Sequence, residues 1–429
     1  MKEYVVIDIG TTNLKVMIFN NQSYKEYYKY KLDYKEGEIY IDRVLDIIKP
    51  LFKRYRYFIL TGLRASVMGW NGNGTHSNLY TWRFSEADRL RFRYVDPDDE
   101  LLNLFIRPGS AALRIKYLQD MGYEYVGGVE SYVTWLLTGR YVVDHSYAHT
   151  YGLYDPFTGD YLEYILDRLE LDRDRLPEII DSYNEDLSGE AILEAMIPDQ
   201  SAALIAEYKG DFPVKSTLGS GAFIDLPSGG EIIGDPFKGI YPILAFISNN
   251  GKFYMGEAFI FEWGSALDNY LEAMGYSYED IDLIDLKRDR FRVYPPVLRS
   301  TIYPNISVES FKSHEFGLHD VIYSLAAGVS YLIDRMKDFT SFKYIYVNGG
   351  GALSKKICWL IANSTDVEVR VNKYPELATL IGAYLYYVMR SGGDIDNIAV
   401  SLRPEIYRFG GSKEYSWIID VYREYLSSL

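Results

Sequence analysis

Near the start of the chain, Tyr4-Val5-Val6-Ile7-Asp8-Ile9-Gly10-Thr11-Thr12-Asn13-Leu14-Lys15 sets one carboxylate and one ammonium around four small residues. The chemistry this suits is the holding of a phosphate tail. Gly10, Thr11, Thr12 and Asn13 carry little bulk, so their backbone N–H groups and hydroxyls stay open, and such a nest of amides accepts an anion. Asp8 ends an apolar run where its carboxylate is suited to a hydrated Mg²⁺, and Lys15 returns a positive charge towards the phosphates. An ordinary hairpin with a threonine-rich turn is the competing reading of the same residues.

The elements that must position this turn are two β-branched runs, Tyr4 to Ile9 and Val16 to Phe19, which predict a hairpin. The second half of the chain offers two turns of related design. Ser216-Thr217-Leu218-Gly219-Ser220-Gly221-Ala222-Phe223 is again strand, small-residue turn, strand, and Gly219, Ser220 and Gly221 let backbone amides close on a phosphate. Tyr344 to Val347 is an apolar strand leading into Asn348-Gly349-Gly350-Gly351-Ala352-Leu353-Ser354, with a helix expected over Lys355 to Asn363. Consecutive glycines there permit a flat adenosine ring to lie on the backbone; a merely flexible turn is the alternative. Between these, helices are expected over Gly109 to Met121, Gly128 to Leu137 (stopped by Thr138-Gly139), Glu163 to Leu171 and Gly189 to Met196. Tyr57 to Thr61 is a short apolar run, and hairpins are expected over Ser216 to Leu226, Ile240 to Ser248 and Gly251 to Met255. The pattern changes around Gly210 to Lys215, which predicts one domain over 1–213 and a second over 214–429. The second repeats the order of the first in architecture, though not in residues.

Composition narrows the function. With 48% apolar and 24% charged residues the chain is of ordinary globular make-up, and its 429 residues call for more than one core. A net charge of −15 argues against a nucleic-acid partner, which requires a basic face. It also means that an anionic nucleotide must be held by local amides and a cation against the overall field. A single cysteine, Cys358, excludes an internal disulfide and a cysteine metal cage. The first residues read as a strand rather than a secretory leader, and the longest uncharged apolar stretch, Leu377 to Met389, is too short to span a bilayer. The expected setting is therefore cytoplasmic, with no membrane partner.

Taken in order, Asp8-Ile9-Gly10-Thr11-Thr12, the Gly219–Gly221 turn, the Gly349–Gly351 turn and Glu376-Leu377-Ala378-Thr379-Leu380-Ile381-Gly382-Ala383-Tyr384 resemble the motifs of the FGGY carbohydrate kinases on the actin-like ATPase fold. So does Asp199-Gln200-Ser201-Ala202-Ala203, which is similar to the family's Asp-Gln-x-Ala-Ala segment. The resemblance covers nearly the whole chain, from Asp8 to the tyrosine-rich last helix over Glu414 to Leu429. It implies an α/β fold of two actin-like (ribonuclease H-like) domains with ATP and substrate in the cleft between them. It implies transfer of the ATP γ-phosphoryl group to a hydroxyl of a small sugar or polyol, with Mg²⁺ held by Asp8 and Asp199. Asp199 would be the general base; a helix N-cap is its alternative role. Gly10 to Asn13, Lys15 and Gly219 to Gly221 would take the phosphates, and Gly350, Gly351 and Ser354 the adenosine.

For the acceptor, Arg64 sits where glycerol kinases carry a polyol-binding arginine, Trp82 matches a tryptophan that packs on the carbon chain, and Phe223 matches an apolar wall. Gln200 completes the Asp-Gln pair. The family's next glutamate is here Ala65 and its Trp-x-Asp is Trp82-Arg83-Phe84. The Asp-Gln pair with Arg64 leans towards a glycerol-like polyol, while loss of the glutamate leans away from glycerol itself. A ketopentose kinase of the xylulose type, a non-catalytic nucleotide- or sugar-binding relative, and an actin- or chaperone-like ATPase are the alternatives; a homodimer is compatible with each. Other catalytic motifs are absent: His314 and His319 are one residue too far apart for a zinc-protease helix, and neither a Gly-x-Ser-x-Gly elbow nor a P-loop occurs.

Overall fold

The computed structural model describes residues 2–428 apart from 21–22, 97, 100–101, 103–105, 107–109, 287–289 and 304–310, and apart from the side chains of residues 87–88. Gly109, the expected start of one helix, lies outside the described residues. Contacts group the chain into two compact units, one of Met1–Ala202, Leu244–Lys252 and Thr379–Ile395, the other of Ala203–Ile243, Phe253–Ala378 and Asp396–Leu429. Residues 244–252 and 379–395, which the two-part division at 213 puts in the second half, thus pack with the first unit.

The first unit is built on a five-stranded sheet. Strands β1 (Glu3–Ile9), β2 (Asn13–Asn20) and β3 (Ser23–Lys31) form an antiparallel meander, and β4 (Tyr57–Gly62) and β5 (Ile192–Pro198) extend it in parallel, in the order β5-β4-β1-β2-β3. β1 is buried along almost its whole length, which is why it reads as an unbroken apolar run instead of an alternating one. β3, at the edge, carries Lys25, Glu26, Lys29 and Lys31, charges that discourage further strand pairing. Parallel pairing sets Ile9 beside Gly62 and Gly62 beside Pro198, so three strands end at one edge. Gly62 is required there, because at φ +148° a Cβ would stand 2.4 Å from the Ile9 carbonyl oxygen.

The hairpin expected around Gly10 is present. Residues 189–196, expected as helix, are instead a bend that leads at Ile192 into the parallel strand β5. Ile192-Leu193-Glu194-Ala195-Met196-Ile197 is a short apolar run, of the kind in which periodicity alone cannot separate strand from helix, and pairing with β4 decides it. Helix α1 (Ile41–Arg54), not expected from the sequence, buries Ile41, Val44, Leu45, Ile48 and Phe52 at helical spacing. Helices α2 (Ala111–Asp120) and α3 (Val129–Thr138) lie where two were expected, and Gly139 at φ +76° ends the latter.

The second unit repeats the plan. Strands β6 (Lys215–Leu218), β7 (Ala222–Gly229), β8 (Tyr241–Ser248), β9 (Gly251–Ile260), β10 (Tyr344–Asn348), β11 (Glu368–Asn372) and β12 (Glu405–Phe409) form a seven-stranded sheet in the order β8-β9-β7-β6-β10-β11-β12. Its inner part, β6, β7 and β9, is again antiparallel, with β8 beyond β9, and is extended by two parallel strands, β10 and β11. The tip of the β8–β9 hairpin groups with the first unit. A long helix, Leu318–Met336, is buried on nearly all sides and centres the core. Among the described residues no helix is long and apolar enough to cross a membrane.

Candidate active site

In the first unit the chemistry-bearing residues leave the sheet edge where β1, β4 and β5 end, and ligands of open α/β sheets bind outside the carboxyl ends of their strands. The β1–β2 turn is tight: the Gly10 N–H donates to the Asn13 carbonyl (3.0 Å), and the Asn13 amide donates to the Thr12 hydroxyl (2.9 Å). The antiparallel register puts Asp8 directly opposite Lys15. Lys15 Nζ lies 3.1 Å from Asp8 Oδ2, and the Thr379 hydroxyl donates to the same oxygen at 2.8 Å. Burial pulls the Lys15 pKa down, but the Asp8 charge and hydrogen bond outweigh it, Tyr27 and Asp199 adding to them, and the net shift is upward. Lys15, expected to turn towards phosphates, thus has Asp8 as its partner.

Asp199 follows Pro198 directly, at the start of helix α4 (Asp199–Ala206). Proline ends the strand, and Asp199 turns out of the sheet with its side chain 23% exposed. Its Oδ1 accepts the Gln200 N–H at 2.7 Å and lies 4.0 Å from Arg64 Nε. Arg64 and Ala65 form the turn after β4. Ala65 is held at φ +50°, an uncommon conformation for a residue with a side chain. Its N–H donates to the Thr150 hydroxyl (3.1 Å), and its carbonyl accepts from Arg114 Nη2 (2.6 Å). Arg114 is fully buried; burial brings its guanidinium down to about 9, which leaves it charged at neutral pH. Tyr147, whose hydroxyl donates to the Ile197 carbonyl at 3.0 Å, is pushed well up by burial and then by the charges of Glu130, Asp199 and Asp8.

Gln200 is almost wholly buried, and Trp82 is half-buried with the Arg83 guanidinium 4.7 Å from its ring. Phe84 is buried against Tyr80, ring centroids 4.5 Å apart, so this departure from Trp-x-Asp serves packing.

In the second unit the Gly219–Gly221 turn is tied to helix α5 (Gly264–Met274). The Gly264 N–H donates to the Gly219 carbonyl (3.2 Å), and the Trp263 and Ser265 N–H groups donate to the Ser220 carbonyl (3.0 and 3.2 Å). These bonds serve donors that a helix start leaves open. Gly264 is required, since a Cβ would sit 2.2 Å from the Gly219 oxygen. Phe223 stacks on Phe259 with centroids 5.0 Å apart. At the end of β10, Gly349 has φ +84° and donates to the Pro375 carbonyl at 2.9 Å, while a Cβ on Gly351 would strike Trp263. Gly350 is exposed, with nothing within 4 Å of where its Cβ would be. Ser354 caps the helix Lys355–Thr365 and donates to Asp282 at 2.8 Å.

Of the residues singled out in the sequence, Asp8, Gly10 to Asn13, Lys15, Arg64, Trp82, Asp199 and Gln200 lie in the first unit, and Gly219 to Gly221, Phe223, Gly350, Gly351 and Ser354 in the second. Thr379, Thr150 and the turn-holding part of Arg114 had no assigned role in the sequence. Thr379 lay inside a recognised motif, but nothing local tied it to Asp8. No group of three or more His, Cys, Asp or Glu able to hold a metal occurs among the described residues. Asp8 and Asp199 both act on the Lys15 charge, and carboxylates are the oxygen ligands a hydrated Mg²⁺ takes.

No protein-family model matches the chain. An uncharacterized sugar kinase of Archaeoglobus fulgidus is 32% identical over 194 residues, which span 42% of this chain and only 38% of that protein. A glycerol kinase of Enterococcus casseliflavus is 26% identical over 90% of this chain and 88% of its own length. In fold, the gluconate kinase of Lactobacillus acidophilus superposes with a TM-score of 0.80 at 16% identity, covering 100% of this chain and 98% of that one. The Plasmodium falciparum glycerol kinase with ADP gives 0.78 at 16% identity, covering 100% and 97%. The chain is thus similar in sequence to sugar and glycerol kinases, and it shares the fold of the FGGY carbohydrate kinases of the actin-like ATPase type.

Proposed function

We propose that the protein transfers the γ-phosphoryl group of ATP to a hydroxyl of a small polyol or sugar, with a glycerol-like polyol favoured. The observation that carries this reading is the junction at Pro198. There a parallel strand ends, a partly exposed carboxylate emerges, and the Arg64 guanidinium stands 4.0 Å from it. The acceptor oxygen attacks the γ-phosphorus, the bond from that phosphorus to the β-bridging oxygen breaks, and ADP leaves with the electron pair. Asp199 takes the hydroxyl proton as the new bond forms. Arg64, with a planar guanidinium fixed beside Asp199, orients the acceptor hydroxyls. Gln200, Trp82 and Phe223 are the further acceptor contacts in this reading. The small-residue turns at Gly10–Asn13 and Gly219–Gly221 supply phosphate amides, and Gly350 and Gly351 a platform for adenosine. Mg²⁺, when bound near Asp8 and Asp199, neutralises phosphate charge.

A screen of polyols and ketoses for acceptor-dependent ADP release tests the reading. Asp199→Asn is expected to retain nucleotide binding and to lose turnover by about 10²- to 10⁴-fold on the best acceptor. Turnover at the native rate would leave Asp199 a structural residue. Preference for a ketopentose would select the xylulose-type alternative, and nucleotide binding without transfer to any acceptor would select the non-catalytic one. A cytoplasmic setting and a homodimer belong to the same proposal; light scattering checks the latter.

A further inference from the structure

Behind the Gly349–Gly351 turn lies a buried carboxylate to which the proposed chemistry gives no task. Glu207, one residue past the end of helix α4, is wholly buried in the second unit. Its Oε1 accepts from Asn348 Nδ2 (2.8 Å) and Arg403 Nη1 (2.8 Å), and its Oε2 from Asn372 Nδ2 (2.6 Å). Asn348 and Asn372 are the last residues of the parallel strands β10 and β11, whose paired positions run only as far as Tyr346 and Arg370. Beyond that point the strands diverge into two turns. Asn348 leads into Gly349–Gly351, and Asn372 leads through Tyr374, at φ +58°, to Pro375. The turns touch where the Gly349 N–H meets the Pro375 carbonyl. One carboxylate thus closes the ladder at the place where its backbone hydrogen bonds stop.

Stability alone does not account for such a cluster. Asn348, Asn372, Arg403 and Glu207 are each fully buried, and Asn348 Oδ1, Asn372 Oδ1, Arg403 Nε and Arg403 Nη2 have no hydrogen-bond partner among the described residues. A half-satisfied polar network in low dielectric costs more than well-packed apolar residues in its place. What it supplies is direction: short, charge-assisted bonds fix two side chains that apolar packing would leave to rotate.

We propose that Glu207 is a positioning residue for the nucleotide, clamping Asn348 and Asn372 so that the Gly349–Gly351 turn is held in the shape on which adenosine lies. The proposal rests on the kinase reading given above. Asn348→Ala and Asn372→Ala each release one strand end and leave the Glu207–Arg403 ion pair in place. In the full chain, well below its melting temperature, each is expected to weaken ADP binding by about ten-fold, the value of one hydrogen bond to a charged group. The acceptor KM should stay within about two-fold by the same reasoning, because the bond that is cut lies on the nucleotide side. Hydrogen exchange of the unliganded protein should quicken at the amides of Gly349 to Ala352 and not along Tyr344 to Val347. Native protein that binds ADP, with variants that bind it equally and exchange equally, overturns the proposal while leaving the kinase reading intact. Native protein that binds no ADP overturns both. Failure of both variants to fold would assign the cluster to the core alone and also overturn it; Asn372→Ser, which keeps a small donor, should then still fold.

Discussion

Arg64 and Glu130 are polar side chains of the first unit in different surroundings. Arg64 stands beside Asp199 on a turn whose next residue is locked by Thr150 and Arg114. A turn over-determined in this way keeps a strained conformation that would otherwise relax. Arg64→Ala is therefore expected to raise the acceptor KM by roughly 10- to 100-fold, the worth of hydrogen bonds from a charged donor, and to leave the ATP KM nearly unchanged. Equal changes in the two, measured by steady-state kinetics, would remove Arg64 from the acceptor site. Glu130 is fully buried, and its Oε1 accepts from the Tyr151 hydroxyl at 2.6 Å. Burial raises its pKa from 4.5 to about 7. The folded chain then holds a proton that the unfolded chain has released. Its contribution is complete below about pH 4.5 and is lost as the pH rises to about 7, by roughly 3 kcal/mol. Glu130→Gln should abolish that slope and be more stable than the native protein at pH 8. Urea midpoints compared between pH 4 and 8 give the answer, and a difference between the two proteins that is constant with pH would contradict it.

At the scale of elements, the two hairpins that open the sheets share a device: opposed positions carry opposite charges. Asp8 faces Lys15 across β1 and β2, and Lys215 faces Asp225 across β6 and β7. The second pair is wholly buried. Lys215→Met should cost about 3–5 kcal/mol by leaving Asp225 without its counter-charge, whereas Lys215→Met with Asp225→Leu should recover most of that loss. Denaturant midpoints test this, and a double variant no better than the single one would show that shape rather than charge matters there. What the sequence made legible follows the same line. The hairpins and their glycine turns are local, so Asp8, Lys15, Gly219 and Gly349 could be placed from spacing alone. Strand β5 was not legible, because Ile192 to Ile197 becomes a strand only by pairing with Tyr57 to Gly62, far earlier in the chain. Thr379 on Asp8, Arg114 on Ala65 and Arg403 on Glu207 were invisible for the same reason. Their partners are brought together by topology and leave no periodic trace.

For the whole molecule, the division into two units, each with its own sheet and core, predicts that heat or denaturant does not unfold the chain in one step. The proposed adenosine turn lies in the second unit, so ADP should act chiefly on that unit's transition. At a hundred-fold excess over Kd the stabilisation is about 2.7 kcal/mol, or roughly 5–10 °C for a unit of about 200 residues. Scanning calorimetry with and without Mg²⁺ and ADP reads this directly. A single transition moved as a whole would mean that the units melt together and that the nucleotide's place cannot be read from heat.

The first unit takes its last segment from residues 379–395, and this segment is not ornamental. Within it Thr379 binds Asp8, the Tyr387 hydroxyl meets that of Tyr4 at 3.0 Å, and Arg390 grips Asp181. A ribosome adding about 5–20 residues per second needs on the order of 10–40 s to travel from residue 203 to residue 395. Through that interval the earliest-made strand waits, with Tyr4 and Asp8 lacking these two partners, for residues that have not yet been synthesised. Slow translation anywhere in the second unit would lengthen the exposure of the first, and nascent chains stalled there are where a chaperone would be most needed.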